Sequence, residues 1–280
     1  MIVESTPKNR TRRSRSIPRR LVREGAPHLL PVYYLMRLSD LGREGIDHSG
    51  SFRFADHIYQ GRASGRTVLG RMLDARLLAM PAAQAFRRRC ERAQDVIRHA
   101  LESYPPEAEP LRVLAVPCGI PRDIINLSAA LQADNPGLLP RIEYHGLDID
   151  PDVLNIAGGL TADCGLGAVH YRRGNALIAG DYPRCRFHVV VSTGLGEFLA
   201  DDELAAFYTL VYDAMEPGGT FYTSATARDL RSDALLRMAE LVTQYRQAGA
   251  VERILRLRPW SRLSLTPDST GLQTFVTAVK

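Results

Sequence analysis

The chain has 280 residues, 45% apolar and 24% charged, with a formal net charge of +5. That length accommodates one large α/β domain with an appendage, or two small domains. No apolar run approaches the roughly 20 residues of a membrane helix, and the N-terminus lacks the apolar stretch of a secretory signal. Cys90, Cys118, Cys164 and Cys185 are widely spaced with no CxxC pair. A disulfide framework or zinc ribbon is therefore not expected, and a reducing, cytoplasmic setting is.

Residues 1–25 carry much of the basic excess, in KNRTRRSRSIPRRLVR from Lys8 to Arg23. This segment reads as a solvated, disordered tail. No aromatics interleave with its arginines, so base stacking is not indicated and nucleic acid is not an expected partner.

Residues 26–104 read mainly as helix. In AAQAFRRRCERAQDVIRHAL, Phe86, Cys90, Ala93, Ile97 and Leu101 recur at helical spacing with the arginines opposite. Pro81 stands at the helix start, where a missing N–H costs nothing. Asp47 to Arg66 is densely polar. As a lid it would offer Ser49, Ser51, Arg53, Asp56, His57 and Tyr59 to an acceptor. The alternative is a helix pair packed on a sheet edge and forming a homodimer. YPPEAEP, Tyr104 to Pro110, is the best candidate domain boundary.

From residue 111 to 280 strands alternate with helices: LRVLAV, IEYHGLD, AVHYRRG, FHVVVST and GTFYTSA. Val189 to Val191 is apolar on both faces, as a central parallel strand must be. Leu204, Phe207, Val211 and Met215 make one helical stripe, and Leu235, Met238, Val242 and Tyr245 another. VERILRL and LQTFVTAVK are expected as two late strands, paired antiparallel at the sheet edge. This alternation gives a parallel sheet covered on both faces.

In such sheets ligands bind beyond the carboxyl ends of the strands. The four tips are PCGIPRD, GLDIDPD, GNAL and STGLGEF, and Glu216-Pro217-Gly218-Gly219 precedes the fifth strand. In this order they resemble the class I S-adenosylmethionine (SAM) dependent methyltransferases. The resemblance covers Leu111 to Lys280 and implies a Rossmann-like α/β fold. Its sheet is seven-stranded and mostly parallel with the last strand antiparallel, here preceded by an N-terminal helical lid. It also implies roles. Cys118 and Gly119 approach the amino-acid end of SAM through backbone, Asp148 binds the ribose hydroxyls, Asn175 and Ala176 edge the adenine, and Thr193 and Gly194 face the methionine side. Pro117, Ile149 and Gly174 complete the cofactor set. The chain departs from the usual glycine turn at Ala115, Pro117 and Pro121, although Pro121 could be the first residue of the following helix. A narrower likeness, in PCGxxR and GLGEFL, is to proteins associated with methyl esters of hydroxy fatty acids. Enzymes that cyclise SAM to azetidine-2-carboxylate are further suggested relatives.

SAM is electrophilic at its sulfonium carbons, so the protein must mainly hold an acceptor in line. Glu197 on the rim is expected to deprotonate an acceptor or hold an amine, against the alternative of a solvated helix-start charge. Tyr33 and Tyr59 are candidate ring contacts for the sulfonium. His145 and His188 read as structural. No pair of histidines has metal-ligand spacing, so no metal is inferred. The expected function is methylation of a small-molecule acceptor, such as a carboxylic or hydroxy acid of secondary metabolism. The alternatives are a SAM-consuming cyclase releasing methylthioadenosine and a non-catalytic binding protein.

Overall fold

The computed structural model describes residues 17–48, 50–105, 108–230, 232, 233, 235 and 243–280. The chain groups into two units. The first comprises residues 1–87 with 229–243, the second 88–228 with 244–280.

The first unit holds α1 (Leu30–Met36), α2 (Asp40–Asp47), α3 (Phe52–Gln60) and α4 (Val68–Leu78), and α5 (Pro81–Ser103) begins in it. Pro81 opens α5, as its position predicts. Three hydroxyls cap these helices by accepting backbone N–H groups: Ser39 from Gly42, Ser51 from Phe54 and Thr67 from Gly70. Asp74 ties the unit together. Fully buried, it accepts from the Ser39 hydroxyl at 2.5 Å, the Leu41 and Ser64 N–H groups at 2.8 and 3.0 Å, and faces His57 Nε2 at 2.9 Å. Burial alone would raise its pKa, but these donors and the His57 charge hold the carboxyl below its ordinary range.

The tail expected over residues 1–25 does not extend to residues 17–23, which are helical. Ile17 and Leu21 are 1% and 3% exposed and cluster with Tyr33 and Ile46. Their i, i+4 spacing makes a small apolar stripe that the surrounding arginines obscure in the sequence. Residues 1–16 and Ser49 lie outside the described residues.

The second unit is a seven-stranded sheet of order β3-β2-β1-β4-β5-β7-β6. The strands are β1 (Leu111–Ala115), β2 (Ile142–Asp148), β3 (Ala168–Arg173), β4 (Phe187–Ser192), β5 (Met215–Thr226), β6 (Arg262–Pro267) and β7 (Gln273–Val279). β7 runs antiparallel to β5 and β6, and the remaining pairs are parallel. This is the Rossmann-like sheet that the resemblance implies, reversed last strand included.

Alternation along the strands sends successive side chains to opposite layers. On one face Val113, Tyr144, Val189 and Val191 pack with Ala93, Ile97 and Leu101 of α5 and with Ile124, Leu127 and Leu131 of α6 (Arg122–Asp134). On the other, Leu114, Leu147, Val190 and Phe221 meet Leu204, Phe207 and Val211 of α8 (Asp201–Ala214). The helix after β2, α7 (Pro151–Thr161), starts from an Asp150 cap.

Three local expectations are corrected. VERILRL is not a strand: residues Ala248–Leu255 form α9. Val251 and Leu255 are both buried at i, i+4, so the segment has a helical apolar face despite its β-branched residues. β6 is the later RLSLTP, whose alternation is less apolar. Pro121 is the cap before α6 rather than its first residue. Glu216 to Gly219 lies within the first half of β5 rather than ahead of it. Met238 and Val242 of the second helical stripe lie outside the described residues.

Candidate cofactor site

The tips of β1, β2, β3 and β4 meet on one rim through backbone bonds. The Val116 N–H donates to Val191 O and the Cys118 N–H to Leu147 O, both at 2.9 Å, and the Gly174 N–H donates to Asp148 O at 2.9 Å. Pro117 follows a cis peptide at the β1 tip.

Asp148 is the centre of this rim. It is 8% exposed. One carboxylate oxygen accepts the Gly119 N–H at 2.9 Å and the other the Asp150 N–H at 3.1 Å. Burial raises its pKa, and the two N–H donors partly oppose that rise. Each oxygen has a second lone pair for a further donor. Gly119 has φ +52°, and a methyl group on its α-carbon would meet no protein atom within 4 Å. Its backbone is thus open to close approach. Ile149, next to the carboxylate, is 45% exposed.

The other tips are shaped more by the protein itself. Asn175 spends its N–H on Asp181 at 2.7 Å, and its side-chain oxygen accepts from the Leu177 N–H at 2.9 Å. Ala176 is in the core, its carbonyl accepting the Tyr182 hydroxyl at 2.8 Å. Thr193 is half-buried. Gly194 has φ +94°, and an added methyl would stand 2.9 Å from Arg89 Nη2.

Glu197 is not a solvated helix-start charge. It lies on a short 3-10 turn, Gly196–Phe198. Its Oε1 is 2.6 Å from Arg89 Nη1 and accepts the Thr226 hydroxyl at 2.5 Å. The two side chains are 3% and 12% exposed. Thr226 in turn accepts from Gln273 Nε2 at 2.8 Å. The turn is held from beneath by Arg246, which donates to the carbonyls of Gly196 and Leu199 and to Asp201. A cavity of about 10 Å³ beside Glu197 has room for about one water.

Tyr33 and Tyr59 belong to the first unit. Tyr33 is 4% exposed in that unit's apolar cluster, with Arg37 donating to its hydroxyl at 3.3 Å. Tyr59 lies 5.0 Å from the ring of Phe86. His145 contacts Glu143 at 2.8 Å. His188 accepts the Arg112 N–H and meets the Tyr104 hydroxyl, both at 3.0 Å. Within the lid segment, Ser51 caps α3 and His57 serves Asp74.

Sequence reasoning missed Arg89, Thr226, Gln273 and Arg246, and it missed Asp123. The Asp123 carboxyl, at the start of α6, accepts the Ile124 N–H at 2.9 Å. Desolvation pushes it up to about 6 against that bond.

A family model described as "Putative methyltransferase" matches residues 37–258. No curated protein matches by sequence. A "possible exported protein" from Bordetella parapertussis has a TM-score of 0.79 at 18% identity, covering 100% of this chain and 99% of its own. The CurJ carbon methyltransferase scores 0.58 at 14% identity, over 96% of this chain and 70% of its own. Magnesium protoporphyrin IX methyltransferase from Synechocystis, with bound S-adenosylhomocysteine, scores 0.54 at 13% identity, over 84% and 97%. At these identities the likeness is one of fold. No helix among the described residues is long and apolar enough to cross a membrane.

Proposed function

The chain belongs to this "Putative methyltransferase" family, and from that premise we propose that it transfers the methyl group of SAM to a small-molecule acceptor. The observation that carries the cofactor assignment is the Asp148–Gly119 corner. It joins a buried carboxylate with spare lone pairs to a backbone turn open to a ligand.

Asp148 would accept the two ribose hydroxyls, one on each oxygen, with charge-assisted bonds of roughly 1.5–3 kcal/mol each. Gly119, with Pro117 and Cys118 before it, would let backbone approach the amino-acid end. Ile149 would cover one face of the adenine, with Gly174, Asn175 and Ala176 at its edge. Thr193 and Gly194 would face the methionine side. When bound, SAM supplies a methyl carbon made electrophilic by its sulfonium. The protein's part is then to hold an acceptor in line, which supplies up to roughly 7–11 kcal/mol.

Glu197 acts as a positioning residue. Its pairing with Arg89 and Thr226 fixes the turn after β4. The four free cysteines support a reducing, cytoplasmic location.

The test is incubation of the pure protein with SAM and fractionated small-molecule extracts, read by mass spectrometry. A methylated product formed in step with S-adenosylhomocysteine supports the reading. Protein-dependent methylthioadenosine from SAM alone would overturn it in favour of cyclisation.

A further inference from the structure

We propose that Glu143, His145 and His170 form a divalent-metal site of the zinc class on the open face of the β2–β3 edge. The site is independent of the cofactor rim and does not rest on the methyltransferase reading.

The strands bring the three together. Glu143 and His145 are two apart on β2 and so project to the same face. His170 on β3 is the direct register partner of His145. The imidazoles lie 4.7 Å apart, centroid to centroid, 34° from parallel. Glu143 Oε1 is 2.8 Å from His145 Nε2 and 3.7 Å from His170 Nε2. One donor atom from each residue falls within 4.8 Å of the others. Zinc–nitrogen and zinc–oxygen bonds near 2.0–2.1 Å place neighbouring ligands of a tetrahedron about 3.3 Å apart. The two carboxylate–imidazole separations bracket that value. Two imidazoles and one carboxylate are a donor set that zinc favours, with solvent free to fill the fourth position.

The fold explains why the face is accessible. Parallel strands are normally covered by helices on both sides. The link from β3 to β4 contains only the 3-10 turn Ala179–Asp181. The His170 side chain is 56% exposed and Glu143 25%, while His145 is 10% exposed and rests against Phe187. Of the nearby cations, Arg112 pairs with Glu109 at 2.9 Å and Glu216 at 3.2 Å, so its charge is largely answered. His145 lies three residues before Asp148, about 10 Å along the strand. A metal here would clamp β2 to β3 without touching the rim.

The experiment is zinc titration of the chelator-stripped, full-length chain by calorimetry, with His170→Ala, Glu143→Gln and a His99→Ala control. Loss of an outer-sphere partner alone commonly weakens binding by about 10–100-fold. His170→Ala should therefore weaken the single tight equivalent by about 100-fold or more, Glu143→Gln should weaken it by less, and His99→Ala should leave it intact. Zinc should also raise the melting temperature of the parent chain but not of His170→Ala. No tight equivalent in the parent chain, or equal affinity in folded His170→Ala and Glu143→Gln, would overturn the proposal.

Discussion

Replacing Asp123 with Asn should make the protein more stable at neutral pH. Asp123 lies in the first turn of α6, just after the β1 turn, and accepts a hydrogen bond from the Ile124 N–H. Desolvation pushes its carboxyl up to about 6 from an ordinary value of 3.8. Burial raises Cys118, Tyr144 and Tyr171, and the negative charge of Asp123 adds to each rise. A folded-state pKa above the unfolded one means that the unfolded chain ionises first. The cost is absent below about pH 4, accumulates between about 4 and 6, and is constant above that. A gap of about 2, at 1.36 kcal/mol per pH unit, gives about 3 kcal/mol, or about 2 allowing for the surface Asp123 retains. Asn keeps the acceptor for the Ile124 N–H and removes the ionisation. The assay is urea unfolding of both proteins at several pH values from 4 to 8. The stability difference should grow from near zero at pH 4 to about 2–3 kcal/mol in favour of Asn above pH 6. A difference independent of pH, or one favouring Asp at pH 7, would refute the reasoning.

Glu197→Ala removes the carboxylate 2.6 Å from the buried Arg89 guanidinium and the acceptor of the Thr226 hydroxyl, and should cost up to about 3–5 kcal/mol by denaturant unfolding. Replacing Arg89 with Met and Glu197 with Leu together should recover much of that loss. Gly194→Ala places a side chain at φ +94° against Arg89, and should lose about 1–3 kcal/mol by the same measurement. Deleting residues 1–22 removes the buried Ile17 and Leu21, each contributing roughly 1.5–3 kcal/mol. That truncation should lower the melting temperature.

Much of the fold is legible in the sequence because parallel strands announce themselves. β1 and β4 are mostly apolar and β2 alternates apolar with polar residues, each ended by a small or acidic tip, and those tips are the rim. Asp148 was readable for the same reason, as the residue where β2 meets its turn. VERILRL was not, because Val, Ile and Leu satisfy a strand pattern and a helical face equally well, and only burial of Val251 and Leu255 decides. The Arg89–Glu197 pair joins residues 108 apart in the chain, and no local spacing encodes it. Glu143, His145 and His170 are scattered along the sequence and become a cluster only through the register of β2 on β3. Asp123 hides in the first turn of α6 as an ordinary polar residue. Its character comes from the neighbours packed around it.

The most direct test of the cofactor assignment is calorimetric titration of SAM into the parent chain, Asp148→Ala and Asp148→Asn, each first shown to be folded. With two charge-assisted bonds at stake, Asp148→Ala should weaken binding at least about 100-fold. Asp148→Asn, which keeps one acceptor oxygen, should fall between. Equal affinity in all three, or no binding of SAM by the parent chain, would contradict the account.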